Sequence, residues 1–340
     1  MVEPDEPQAD AANDWRDLFQ LDGDVPPPPV ELLEWPDPAP ALPVRLYRLP
    51  PEREALLVRR VPSPRASAWE TARTLTEWVS QRWQHANDHV ENYDAVEILD
   101  RVDAGARFAC DEYTVVLCHA LNASGIPARW LGLFRRDHHA GVAAAHSVAE
   151  AWIDELRRWV VLDGQNGAHW VADADEPLGV IELQRTFHAG GARARFVSTA
   201  GPVDDADFWW QYFATAQTTG LTSPPSSDLA WASRAYCPIF QQRFLLGSDR
   251  LFRKAQSAYP DLSSVWVGIG GTAEKPALTF GTDHPYPQGF TVTDSRGQSD
   301  LPAQEPLWPL DLSPGDHVAE ISIVSRYAQV PTGQVRYRAP

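Results

Sequence analysis

Hydrophobic and polar positions alternate with a period of two across residues 146–163, the pattern of paired strands with unlike faces. His146, Val148, Glu150 and Trp152 share one face of the first strand, Ser147, Ala149, Ala151 and Ile153 the other, and Trp159, Val161 and Asp163 share a face of the return strand. A tight turn at Asp154 and Glu155 sets Ile153 opposite Leu156 and His146 opposite Asp163, with Cβ atoms ~5 Å apart. A four-residue loop leaves them diagonal on one face. A slip of one residue separates them.

Upstream the period lengthens to that of a helix. Behind Ser67, a capping residue, Trp69, Ala72, Leu75, Thr76, Val79 and Trp83 recur at three- and four-residue steps. DAVEILDRVD at 94–103 predicts a short helix, and 108–124 predicts another with Tyr113, Val116, Leu117, Ala120 and Leu121 on one side. Gly125 ends that helix in a left-handed cap and Pro127 prevents its resumption. Residues 126–134 read as a strand and 135–145 as a loop. RLYRLP and ALLVRRV within 45–60 read as strand-like pieces, 167–189 as mixed loop and short helix, 205–218 as an aromatic helix, and 229–259 as helical. From 263 onward, VWVGIGG, ALTFG, FTVTD, HVAEISIVS and QVRYR, separated by Pro, Gly and Asp, predict a small all-β module.

These elements make an α+β chain of four regions. An acidic, proline-rich tail covers 1–43, a central domain that holds the helices and the paired strands 44–218, a linker and helical segment 219–262, and the β-rich module 263–340. The tail buries too little apolar surface to offset its ordering entropy and reads as mobile or draped over the core, with a docking peptide as the alternative.

Charge narrows the function. The net charge is −17, and residues 1–40 hold eleven acidic residues and one arginine, or −10 of it. A nucleic-acid partner requires a basic face, so none is expected. No apolar run approaches the ~20 residues of a membrane span. The opening MVEPDEPQAD lacks the basic start and apolar core of a secretory signal, which predicts a cytoplasmic protein. The cysteines, Cys110, Cys118 and Cys237, are no disulfide framework, and Cys110 and Cys118 fall two turns apart on one helix.

The central stretch supports nucleophilic chemistry. A thiol attacks as thiolate, which a helix N-terminus stabilises, and Cys110 is in that place. Asp111 and Glu112 follow it but point away on a helix. His146 is the candidate base and acid, Asp163 the group that orients it. The Cys110 backbone N–H is the first oxyanion donor, with Trp83 or Gln84 as candidates for the second. Cys118, within VVLCHAL, and Cys237, within AYCPIF, read as structural. His138 and His139 lack the ligand spacing of a zinc site, so no metal is expected and the pair reads as a substrate-facing loop. Glu150 and Trp152 support the hairpin, and Trp152 is also a substrate-facing candidate. Trp209 and Trp210 read as core before a ligand platform, although aromatics bordering a cleft can bind peptide or sugar rings. No cofactor is required.

Residues 72–183 resemble the transglutaminase-like superfamily, whose papain-like core packs a Cys-bearing helix against an antiparallel sheet. The marks are C-x-x-Y at Cys110, ALNASGIPARWLG, H-x-x-x-E-x-W at His146 and W-V-V-L-D ending at Asp163. The resemblance implies that the family's catalytic cysteine, histidine and aspartate fall on Cys110, His146 and Asp163. Two departures concern the backbone: Ala109 stands where glycine is frequent, and Gly164 where proline is common. Family activities include acyl-transfer crosslinking, proteolysis and deglycosylation, and the paired CxxC zinc motifs of the deglycosylating group are absent.

The expected activity is a cysteine-dependent amide hydrolase or acyltransferase acting through a thioester on a peptide or protein. Hydrolysis is favoured, since nothing identifies an amine-acceptor site. The alternative is a noncatalytic protein- or carbohydrate-binding protein. LDLSPGDHVAEISIVS followed by QVRYRAP resembles jacalin-type lectin sheets, which makes carbohydrate a candidate partner of the β module.

Overall fold

A computed structural model describes residues 30–36, 46, 48–90, 94–137, 145–190, 193–202, 205–218, 244–246, 250–252, 259–272 and 274–340. Its first element is a strand, β1 (Glu31–Glu34). Four helices follow: α1 (Pro51–Val58), α2 (Ala68–Ser80), α3 (Ala95–Asp103) and α4 (Cys110–Ala123). Then come β2 (Ala128–Phe134), β3 (Ala145–Ile153), β4 (Arg158–Asp163), β5 (Ala168–Val171), α5 (Val180–Ala189), β6 (Arg195–Ser198), α6 (Ala206–Trp210) and β7 (Thr215–Thr218). These strands form one antiparallel sheet in the order β6-β5-β4-β3-β2-β7.

Local sequence explains the helix starts. Ser67 Oγ accepts from the Glu70 N–H at 3.1 Å, and Asp94 Oδ1 from those of Val96 and Glu97 at 2.8 and 3.2 Å. The strand-like reading of ALLVRRV is corrected by α1. Pro51 at its first position is pre-set for a helix, and Glu52 and Glu54 complement the dipole of its first turn. The aromatic helix expected over 205–218 is also shorter than expected. It is α6 followed by a 3-10 turn (Gln211–Ala214), after which β7 pairs with β2.

Alternation decides the two faces of the sheet. Ala128, Ala149, Ala151, Ile153, Val160 and Leu162 pack against Leu75, Val79, Val116, Leu117 and Leu121 of the helices. Their neighbours of opposite parity, Leu131, Leu133, Val148, Val161 and Trp170, pack with Val180, Leu183, Tyr212 and Phe213. Each fully buried aliphatic side chain contributes about 1.5–3 kcal/mol. Register is further fixed by Arg129 and Glu150, which lie directly opposite on β2 and β3 and form a buried ion pair at 3.1 Å. The Arg129 guanidinium lies 4.5 Å from the ring centroids of both Trp159 and Tyr259, and the Tyr259 hydroxyl donates to Glu150.

The 229–259 span, expected as helical, contains described residues at β8 (Phe244–Leu246) and β9 (Arg250–Phe252), which pair antiparallel, and at Tyr259. Gly-Ser-Asp between Phe-Leu-Leu and Arg-Leu-Phe is turn-forming sequence between two short strand-forming triplets. The rest of that span up to 258 lies outside the described residues, as do the 219–228 linker, Cys237, His138 and His139.

The C-terminal region is all β: β10 (Val265–Gly271), β11 (Pro276–Thr282), β12 (Gly289–Asp294), β13 (Gly297–Pro302), β14 (Leu307–Pro309), β15 (Gly315–Val324) and β16 (Gln329–Ala339). They form a three-stranded sheet, β10-β11-β14, and a five-stranded one, β1-β16-β15-β12-β13. Both contribute to one core that includes Val265, Phe280, Phe290, Trp308, Ile321 and Tyr337. The tail therefore does not drape loosely at 31–34. Flanking prolines hid that strand, whose Glu31 and Glu34 face Arg338 and Arg336 on β16.

This β region meets the helix-and-sheet core at the β3–β4 turn and at the C-terminal end of α4. His284 Nε2 and Asp154 Oδ1 form a buried pair at 3.1 Å, and the Trp159 indole donates to Pro260 O at 3.0 Å. Tyr286 donates to Asn122 Oδ1 at 2.8 Å and Tyr327 to Ser124 O at 2.7 Å. Among the described residues no helix is long and apolar enough to cross a membrane.

Candidate active site

Cys110 is the first residue of α4, partly exposed, and Ala109 before it offers no capping side chain. The first-turn amides, which a cap would otherwise engage, remain next to the sulfur. Asp111, at the second position, accepts from Ser147 Oγ on β3, tying the helix start to the strand that carries His146. Glu112 is fully buried and accepts from the Val90 N–H at 2.9 Å; burial pushes its carboxyl up in pKa.

His146 and Asp163 are 4% and 2% exposed, and His146 Nε2 lies 2.9 Å from Asp163 Oδ2. The tight turn does not form. Asp154–Leu156 is a 3-10 turn and Arg157 takes a left-handed conformation (φ 50°), so Ile153 faces Arg158 and His146 is diagonal to Asp163 on the same face. No glycine marks that left-handed position.

Burial opposes charge on both partners, but attraction and hydrogen bonding outweigh it. His146 is raised to about 10 by Asp163 and by a hydrogen bond and attraction involving Cys110. Asp163 is lowered by His146 and by Asn166 despite its burial. The carboxylate is thus an acceptor only, so Nε2–H donates to it and the other ring nitrogen is left for the Cys110 sulfur.

Aromatic rings close the far side of the imidazole. Trp209 and Tyr212 have centroids 4.7 and 5.6 Å from that of His146, so Trp209 belongs to the wall of the site. Trp210 turns inward against Trp170, Phe187 and Phe213, as a core residue does. Arg135 lies over the rings of Phe208 and Tyr212, 5.5 and 6.0 Å from their centroids, and pairs with Asp137 at 2.7 Å. The sequence signal for this wall was present in DFWW, but periodicity does not tell which ring meets the histidine.

The candidate oxyanion donors separate. The Trp83 indole N–H donates to Phe108 O at 3.2 Å while its ring stacks on Tyr113 with centroids 4.1 Å apart, so that donor is already engaged. Gln84 is exposed, and its Oε1 accepts from Arg107 at 3.4 Å. Residues 83–88 run beside 107–109 through bonds from Ala86 N to Phe108 O and Ala109 N to Asp88 O, at 3.0 and 3.1 Å. This placement brings His85 near the site. Burial, His146 and His89 together lower its pKa.

Trp152 does not face substrate. It is 2% exposed and packs with Trp159 and Leu262, because residues 259–262 cover that end of the sheet. Cys118 is buried, and burial and Glu150 hold its thiol well above the usual range. Among the described residues no group of three or more His, Cys, Asp or Glu is placed to hold a metal ion.

A partly exposed thiol at a helix start and a histidine bonded to a buried aspartate on an antiparallel sheet are the site features of this α+β core. Residues 56–164 match the model of the transglutaminase-like superfamily, whose members are typically cysteine-dependent acyltransferases and hydrolases, and the segment is similar to that superfamily's core. A solved red sea bream transglutaminase aligns with 83% of this chain and 58% of its own at 12% identity and a TM-score of 0.27; the chain spans less than two thirds of that enzyme. No curated protein matches the sequence.

Proposed function

We propose that the chain is a cysteine-dependent amide hydrolase or acyltransferase, with hydrolysis favoured, acting on a peptide or protein. The observation that carries this reading is the buried His146–Asp163 bond at 2.9 Å, on an imidazole whose pKa is raised by Asp163 and by the Cys110 thiol at the start of α4. The imidazolium supplies the counter-charge a thiolate needs. The sulfur attacks the amide carbon, the C–S bond forms, and the carbonyl electron pair moves to oxygen near the Cys110 N–H. His146 gives its proton to the leaving nitrogen, the C–N bond breaks, and a thioester remains. Neutral His146 then takes a proton from water or an incoming amine, whose attack releases the acyl group. Asp163 holds the ring throughout.

Labelling with iodoacetamide, resolved by mass spectrometry of the Cys110 peptide, tests the site. Labelling that persists well below the ~8.5 of a free thiol and is lost in His146→Ala supports the enzyme; uniformly slow labelling supports a noncatalytic binding protein. An acyl-enzyme trapped from a peptide library would identify the acyl donor by mass.

A further inference from the structure

The Asp163 carboxylate has a second holder. Asn166 lies three residues on, in the turn between β4 and β5, and its backbone N–H donates to Oδ1 at 3.0 Å. Its side-chain Nδ2 donates to Oδ2 at 2.8 Å, the same oxygen that accepts from His146 Nε2 at 2.9 Å. Its own carbonyl accepts from Ser198 Oγ on β6 at 3.1 Å.

The turn around it has little room to move. Gly167 has φ +58°, and a Cβ there would lie 2.6 Å from both Ser80 Oγ and the Ala200 side chain. A Cβ at Gly164 would lie 3.1 Å from the Tyr113 carbonyl of α4. Three neighbouring segments therefore crowd the backbone of the turn that carries Asn166.

We propose that Asn166 is a positioning residue for the Cys110–His146–Asp163 site, fixing the rotation of the Asp163 carboxylate and keeping it ionised; this rests on the catalytic reading of those three residues. A neutral amide suits the task on physical grounds. Without the Nδ2 bond the carboxylate turns about Cβ–Cγ and the imidazole loses its aim. A lysine or arginine there would bind the carboxylate but compete with the imidazolium for it. An amide donates while adding no charge and no proton of its own.

The test is the pH profile of Cys110 alkylation by iodoacetamide, read peptide by peptide in the native chain, Asn166→Ala, Asn166→Asp and Asp163→Asn, with melting temperatures alongside. Removing a bond that depresses the Asp163 pKa raises it, so the acid limb should move to higher pH in Asn166→Ala, and the rate just above that limb should fall about tenfold. Asn166→Asp keeps the shape and the backbone bond but replaces the donor with a carboxylate, so its limb should move further. A purely structural asparagine predicts the reverse ranking, since the isosteric variant should then behave as native. The proposal is overturned if both Asn166 profiles superimpose on the native one while that of Asp163→Asn is displaced. If Asp163→Asn itself leaves the profile unmoved, the reading of the triad falls instead.

Discussion

The two ends of α4 lie about 20 Å apart and are treated in opposite ways. At Cys110 the helix starts without a capping side chain beside a partly exposed thiol. At the other end Asn122 donates to the carbonyls of Cys118 and Ala128, both at 2.8 Å, and accepts from the Ala128 N–H and the Tyr286 hydroxyl at 3.1 and 2.8 Å. Tyr327 then takes the Ser124 carbonyl. Unmet hydrogen-bonding capacity is what stabilises an anion, and it is also a cost to folding. The difference teaches that one helix presents its candidate nucleophile at one terminus and its attachment to the β region at the other.

The largest test of that division is Cys110→Ala. Acyl-enzyme formation and turnover should fall at least ~10³-fold with the melting temperature little changed; a large loss of stability would mean that the reactive end also holds the fold together. Asn122→Ala is the converse. It should cost about 2–4 kcal/mol in urea unfolding, because several buried groups lose partners, while Cys110 alkylation in the folded protein stays native; slowed alkylation would join the two ends.

A third test uses pH. His146 is raised above its ordinary value, so its contribution to stability is complete below about pH 6.5 and is lost as pH rises through about 10. Asp163 is depressed, so its contribution is present above about pH 3.9 and is lost as pH falls through its lowered folded pKa. Calorimetry between pH 7 and 10 should show a steeper decline for the native chain than for Asp163→Asn, and parallel declines would contradict the coupling. The smallest effect belongs to Tyr327→Phe, which should cost about 1 kcal/mol by denaturant titration with alkylation unaltered.

Short-range chemistry was the legible part of this molecule. Ser67, Asp94 and the alternation of 146–153 act on near neighbours, and the helices and strands they announce are present. The common face of His146 and Asp163 followed from parity alone, whereas their diagonal offset depended on Arg157 adopting a left-handed backbone without glycine. Trp152 was misplaced because its cover arrives from residues 259–262, far along the chain. The signal for Asn166 lies in DGQNG, where an acidic residue three positions before an asparagine makes the kind of turn in which a side chain bonds nearby backbone, but turn chemistry alone does not tie that asparagine to the site.

The pairing of β1 with β16 has a consequence for how the molecule is made. Glu31 faces Arg338, so an edge strand translated early must wait for a partner translated about three hundred residues later. At ~5–20 residues per second that delay is on the order of 15–60 s. During it the ribosome holds the acidic ELLE segment unpaired, and the five-stranded sheet can be sealed only after β16 has cleared the exit tunnel. Synthesis therefore completes the transglutaminase-like core before this final closure becomes possible.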